Sequence, residues 1–193
     1  MPILIGAGHP LPDDYAELHI ADFVPVKATR ADGRPVQLLQ REAAEALEAL
    51  LDAAAEAGFA DITVTSAYRS RAYQHQLYEA AVQKYIDHGN DEATARRLVS
   101  RYHALPGESE HESGLAVDMH NLPAADTAFA ETDAFRFLAC HAPEYGFILR
   151  YPAGKEEITG IAFEPWHFRY VGREHALAIA AAGLTLEEYL AKK

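Results

Sequence analysis

Pro106-Gly-Glu-Ser-Glu-His-Glu-Ser-Gly-Leu-Ala-Val-Asp118 is the stretch on which the fold of this 193-residue chain turns. It opens on a chain break at Pro106-Gly107 and runs through a turn-prone Glu-Ser-Gly. It ends in a short apolar strand from Gly114 to Met119. A tight turn followed at once by a strand can fold His111 back beside Asp118. Leu115, Ala116 and Val117 mark the strand as packed. A carboxylate anchored there is costly unless it is paired or bound to a metal.

Working outward, residues 1–35 are rich in Pro and Gly, with His9-Pro-Leu-Pro-Asp-Asp and a turn at Asp32-Gly33, and predict an extended N-terminal arm laid on the domain. Leu47, Leu50, Leu51 and Ala54 share one helical face, and Gly58 ends that helix. Asp61 to Ser66 alternates apolar and polar residues like a strand. Ser70 can cap the next helix, whose expected buried stripe is Tyr73, Leu77, Ala81 and Tyr85, stopped by His88-Gly-Asn90. A further helix carries Ala95, Leu98, Val99 and Tyr102 on one face. Thr132 to Ala142 is helical by the spacing of Phe135, Leu138, Ala139 and Ala142. Gly146–Tyr151 and Ile161–Val171 are expected strands, the second bent or interrupted by Gly160 and Pro165. Arg173 to Ala182 is a helix ended by Gly183. The last helix opens with a capping box of Thr185 and Glu188 and a staple of Leu184 against Tyr189.

Helices come first and strands cluster late, with no βαβ rhythm. This predicts an α+β fold, a small antiparallel sheet with helices packed around it. No repeat, low-complexity tract or linker divides the chain, so residues 1–193 are expected to form a single domain.

The net charge of −12, from 17 Lys and Arg against 29 Asp and Glu, argues against nucleic acid and anionic lipid as partners. No apolar run approaches the roughly 20 residues of a membrane span. Cys140 is the sole cysteine, so no internal disulfide forms, and its apolar neighbours predict a buried, inert thiol. The N-terminus lacks the basic start and apolar stretch of a signal peptide. The expected location is outside the cytoplasm if a leader has been removed, and otherwise the cytoplasm. Nothing in the sequence sets an oligomeric state.

A second segment, Phe163-Glu-Pro-Trp-His-Phe-Arg-Tyr170, sets a carboxylate three residues before a histidine in an aromatic run. His111, Asp118 and His167 then make a candidate ligand trio. Catalytic zinc takes three protein ligands and leaves the fourth position to water, and imidazole with carboxylate suits it. Glu164 is placed as a general base rather than a ligand, taking a proton from the activated water and returning it to the leaving amine. In a third segment, Ser66-Ala-Tyr-Arg-Ser-Arg-Ala-Tyr-Gln74, Arg69 lies at a strand end and can project into a cleft to bind a carboxylate or a developing oxyanion. Gln74 follows on the first helical turn. Spacing alone leaves plainer readings open: a surface His111, a locally paired Asp118, core aromatics at Trp166 and His167, and Arg69 in a surface ion pair.

Taken in order, these segments resemble the D-alanyl-D-alanine carboxypeptidase family of zinc peptidases, which includes VanY-like carboxypeptidases, VanX-like dipeptidases and L,D-carboxypeptidases. The likeness rests on Ser66-Ala-Tyr-Arg-Ser70 with Gln74, on Pro106 through Asp118, on Tyr145-Gly-Phe-Ile-Leu-Arg-Tyr-Pro152 and on Glu164-Pro-Trp-His-Phe-Arg-Tyr-Val-Gly172. His9-Pro-Leu-Pro-Asp-Asp-Tyr15 resembles the start of VanY-like domains. The resemblance implies a zinc ion on His111, Asp118 and His167, Glu164 as catalytic base and Arg69 stabilising the transition state. It further implies that Ser109 and Gln74 line the peptide site, with Trp166 counted beside them. The implied substrate is a peptidoglycan stem peptide that loses a C-terminal D-alanine. Rival readings are a D-Ala-D-Ala dipeptidase, a peptidoglycan endopeptidase, and a non-catalytic module that holds zinc and binds cell-wall peptide. Glu164 and Arg69 weigh against the last, because a structural zinc site needs neither.

Overall fold

A computed structural model describes residues 1–27 and 36–193, so the turn expected at Asp32-Gly33 lies outside the described residues. The N-terminal stretch is not extended throughout. It carries a short helix, α1 (Tyr15–His19), and a strand, β1 (Phe23–Pro25), which pairs antiparallel with β2 (Leu38–Gln40). Long-range partners hold both elements: Tyr15 Oη of α1 accepts from Gln40 Nε2 at 3.0 Å, and the Phe23 ring of β1 lies 4.6 Å from that of Tyr68.

The next helix, α2 (Arg41–Glu56), buries Ala43, Leu47, Leu50 and Ala54, a stripe with the helical period. β3 (Thr63–Ser66) follows, then α3 (Arg71–Asp87), capped as expected by the Ser70 side chain accepting from the Tyr73 backbone N–H. The buried stripe of α3 is Gln74, Tyr78 and Val82, one residue out of phase with the predicted one, and Tyr73 is exposed. Tyr78 and Val82 pack on Ala95 and Val99 of α4 (Glu92–Val99). Gln74 lies inside because its amide accepts from Arg69 and donates to Ala104 O, a reason that a count of apolar residues does not register. Tyr102, expected on the buried face after α4, is exposed.

β4 (Ala116–His120) is buried at every residue. α5 (Asp133–His141), capped by Thr132, buries Ala134 and Leu138. That choice of face turns Ala139 and Cys140 outward, so the Cys140 thiol is exposed rather than buried. β5 (Phe147–Leu149), α6 (Glu156–Thr159) and β6 (His167–Tyr170) come next. Residues 161–166 of the long strand expected at Ile161–Val171 lie outside β6. Pro165 there has no N–H to give a ladder. α7 (Arg173–Ala182) ends at Gly183, and α8 (Leu186–Leu190) carries the capping box of Thr185 and Glu188. No helix among the described residues is long and apolar enough to cross a membrane.

The main sheet has the order β3-β4-β6-β5, antiparallel at every pairing. Side chains alternate between its faces. Val64, Val117, Met119, Phe147 and Phe168 join Leu47, Leu50 and Leu138 in the main core. Burial of each such side chain stabilises by about 1.5–3 kcal/mol. The register sets Asp118 of β4 opposite His167 of β6 on one side. On the other side Asp118 pairs with Ser66 of β3, next to an irregularity between Val64 and Ser66. All three chemistry-bearing segments therefore meet at one strand position.

Gly114 makes the turn into β4. Its φ is +67°, and a Cβ there would lie 2.8 Å from the Phe23 ring and 3.3 Å from the Gln40 backbone nitrogen. Gly114→Ala is expected to lower unfolding free energy by about 1–3 kcal/mol, through left-handed strain and displacement of the β1–β2 ribbon. Urea denaturation checks this, and an unchanged midpoint would show that the ribbon yields freely.

Candidate metal centre

His111 lies in a buried single turn of 3-10 helix, Glu110–Ser113, immediately before Gly114. This turn brings its imidazole back over β4. His111 Nε2 is 3.3 Å from Asp118 Oδ1, and His167 Nδ1 is 3.1 Å from the same oxygen. One donor atom from each of the three buried residues lies within 4.8 Å of the others.

The two histidines present opposite ring nitrogens. His111 Nδ1 is 2.7 Å from the carbonyl oxygen of Ala67, which can only accept, so the proton sits on Nδ1 and Nε2 is bare. His167 Nε2 is 3.2 Å from Glu110 Oε2, an ionised carboxylate, so the proton sits there and Nδ1 faces Asp118. Asp118 Oδ1 is buried without a hydrogen-bond partner. Two imidazole lone pairs and an orphaned carboxylate oxygen thus converge, an arrangement that is costly unless a cation joins them. Two nitrogens and one oxygen at this spacing fit zinc, with room for a further ligand.

The electrostatics agree. Burial, with Arg69 nearby, holds His111 down to about 4, which keeps it neutral and able to ligate. Burial also disfavours a charged His167, but the carboxylates of Asp118 and Glu110, one beside each ring nitrogen, overcome it and raise the ring to about 9. The pocket thus demands positive charge at that point. A proton on His167 does not meet the demand, since Asp118 Oδ1 still has no aligned hydrogen bond.

Glu164 stands beside the trio, its Oε2 3.7 Å from His167 Nδ1. Burial pushes its carboxyl up to about 7; His167 and Arg69 oppose the shift, while Asp118 and Glu110 reinforce it. A carboxyl at that value can both take and give a proton near neutral pH. Its backbone is fixed from both sides: Glu164 N–H donates to Tyr151 O, and Glu164 O accepts from the His167 N–H.

Arg69 is held in place. Its Nε donates to Ser66 Oγ at 2.9 Å, Nη1 to Gln74 Oε1 at 3.2 Å and Nη2 to Asp118 Oδ2 at 3.0 Å. Nη2 is also 3.0 Å from His111 Nε2. Gln74 passes the restraint on by donating to Ala104 O at 2.9 Å. Arg69, Gln74, Ser109, Glu164 and Trp166 all line one cleft of about 750 Å³ that contains the three histidine and aspartate donors.

The structure also brings in residues that sequence reasoning passed over. Glu110, Arg150 and Arg169 are buried around His167, and Glu112 ties the preceding loop to Arg71 and Gly107. Arg71 in turn holds Leu11 O and pairs with Asp13, which docks the N-terminal stretch against this loop. A signal for the buried arginines was present: Arg150 and Arg169 each interrupt an apolar, aromatic run, and a buried charge must be paired.

Residues 36–173 match the profile of the VanY D-alanyl-D-alanine carboxypeptidase family. The chain is 36% identical to the putative carboxypeptidase YodJ of Bacillus subtilis over 98% of its own length and 66% of that protein. It is 42% identical to a D-alanyl-D-alanine carboxypeptidase of Enterococcus faecalis over 75% of its length and 52% of that protein. It therefore spans about half to two thirds of these relatives. Among solved structures it resembles the LdcB LD-carboxypeptidase, with a TM-score of 0.85 and 34% identity over 98% of this chain and 85% of the other. It also resembles a VanY D,D-pentapeptidase solved with Zn(II), with a TM-score of 0.78 and 35% identity over 97% of both chains. With the family profile covering residues 36–173 and a relative more than a third identical along almost the whole chain, the protein belongs to the VanY family of D-alanyl-D-alanine carboxypeptidases.

Proposed function

We propose that the protein is a zinc-dependent carboxypeptidase that removes a C-terminal D-alanine from peptidoglycan stem peptides in the cell wall, with His111, Asp118 and His167 as metal ligands and Glu164 as general base. The observation that carries the metal is the buried, unpartnered Asp118 Oδ1 facing the two imidazole nitrogens. Bound there, zinc supplies Lewis acidity and a nucleophilic water at neutral pH. Glu164, whose carboxyl lies at about 7, takes a proton from the attacking water and gives it to the departing amine. The guanidinium of Arg69, locked by Ser66, Gln74 and Asp118, faces the same cleft and stabilises the developing oxyanion. Ser109, Gln74 and Trp166 border the cleft and orient the peptide. Glu164 and Arg69 favour an enzyme over a zinc-holding module.

The substrate class is supported by the relatives. A VanYB structure with D-alanine-D-alanine is 34% identical with a TM-score of 0.78, and the LdcB work concerns peptidoglycan recognition. A second reading, dipeptidase action, is supported by 41% identity to a bifunctional D-Ala-D-Ala dipeptidase and carboxypeptidase of Enterococcus gallinarum, over 67% of this chain. Side-by-side assays of D-Ala-D-Ala, a pentapeptide ending in D-Ala-D-Ala, a tetrapeptide ending in D-Ala and cross-linked muropeptides separate these readings from each other and from an endopeptidase.

Chelation is expected to abolish D-alanine release and added zinc to restore it; chelator-insensitive release from a metal-free preparation would sink the metal assignment. Glu164→Ala is expected to keep its zinc, measured by metal analysis, while kcat falls by about 10²–10⁴-fold. Near wild-type turnover in that variant would remove Glu164 from the mechanism.

A further inference from the structure

Glu110 is 1% exposed and its two carboxylate oxygens face in different directions. Oε2 lies 3.2 Å from His167 Nε2. Oε1 accepts from Arg150 Nε at 2.7 Å and lies 2.9 Å from Arg169 Nη1. Arg150 spends its other two nitrogens on Glu187, with Nη1 donating to Oε2 at 3.0 Å and Nη2 to Oε1 at 2.6 Å. Glu187 belongs to the first turn of α8, the last helix of the chain. Tyr151 adds a second path, because its ring lies 4.8 Å from that of His167 and 4.9 Å from the Arg150 guanidinium.

We propose that Glu110 is a positioning residue for His167, and that its hold is transmitted from α8 through Glu187 and Arg150. The inference rests on the metal reading above and deepens it. Two glutamates and two arginines cancel in charge, so the buried tetrad keeps Glu110 ionised without imposing net charge on the cleft. A tetrad of this kind, buried except at Glu187, is weak as a stabilising device, since apolar residues of the same volume pack equally well or better. An apolar core could not, however, offer a carboxylate to one metal ligand. That carboxylate fixes the His167 tautomer, turns Nδ1 towards Asp118 and makes the ring a more basic ligand. His111, by contrast, is steadied by a neutral carbonyl. The two imidazoles are therefore unequal, and the one facing Glu164 is the one wired to the C-terminal helix.

The test uses the full chain and zinc itself, with affinity read by competition against a chromophoric chelator. Glu110→Gln keeps the volume and loses the charge, and it is expected to loosen zinc by about 10–100-fold. Glu187→Gln is expected to loosen it by a smaller factor, and that effect should vanish in the Glu110→Gln background, which a purely structural role for α8 would not produce. Side-chain nitrogen NMR should show His167 protonated at Nε2 in the wild type and lose that preference in Glu110→Gln. Unaltered zinc affinity in a folded Glu110→Gln protein overturns the proposal. Equal effects of Glu187→Gln in both backgrounds overturn the transmission from α8. Should Glu110→Gln fail to fold, Glu187→Gln alone decides, and wild-type affinity there overturns it. A wild-type protein that takes up no zinc overturns the metal reading and this inference together, whereas tight wild-type binding with an indifferent Glu110→Gln overturns only the inference.

Discussion

Asp118 occupies the middle of a strand that is buried along its whole length, with its carboxylate turned to the cleft face and one oxygen lacking any hydrogen bond. Everything around it follows from the need to make that burial tolerable. One oxygen accepts from Arg69, which is itself tied to Ser66 and Gln74. The other faces His111 and His167. The antiparallel register holds the arrangement, because a slip of one residue between β4 and β6 would send His167 to the core face and Phe168 to the cleft. Fold and site are thus specified by the same constraint: Val117 and Phe168 must face the core, so Asp118 and His167 must face away from it.

Much of this was legible in the sequence, and the reasons are local. The turn at Glu112-Ser-Gly114 and the apolar strand after it predict the return of His111 over Asp118. Caps at Ser70, Thr132 and Thr185 act within a few residues, so Ser70 and the Thr185 capping box could be read from spacing. The illegible parts depend on partners distant in sequence. The phase of α3 was missed because Gln74 is buried through bonds to Arg69 and Ala104 rather than through apolar contact. The apolar neighbours of Cys140 predict a buried thiol, whereas α5 turns Ala134 and Leu138 inward and Cys140 to the surface. The helix and strand within the N-terminal stretch answer to Tyr68 and β2. Nothing near Glu110 in sequence shows that Arg150, Arg169 and His167 close around it.

The loop that delivers His111 is also secured from outside the sheet. Glu112 accepts from the Gly107 N–H at 2.7 Å and from Arg71 Nε at 3.0 Å, and Arg71 reaches on to the carbonyl of Leu11 at 2.9 Å. Arg169 reaches Ile3 O at 3.1 Å. The N-terminal segment is therefore brought both to the loop that carries His111 and to β6, which carries His167. Such preorganisation matters because a ligand set that must be ordered at the moment of binding loses affinity to that ordering.

Two glutamates close to His167 show how environment divides their roles. Both are buried, and burial alone would raise both. Glu110 is met by Arg150 and Arg169, and these cations hold its carboxyl far below the ordinary range, so it stays ionised and can only accept. Glu164 is paired with no guanidinium among the described residues; burial, reinforced by the charges of Asp118 and Glu110 and opposed by His167 and Arg69, lifts it to about 7, where gaining and losing a proton are nearly balanced. On the proposed mechanism one carboxylate orients a ring and the other moves a proton, although residue type and depth are nearly the same. The division also explains why the arginines lie on the far side of His167. A guanidinium paired directly with Glu164 would lower its carboxyl and leave it a weak base, whereas one paired with Glu110 keeps that carboxylate charged beside His167 and leaves Glu164 free to titrate.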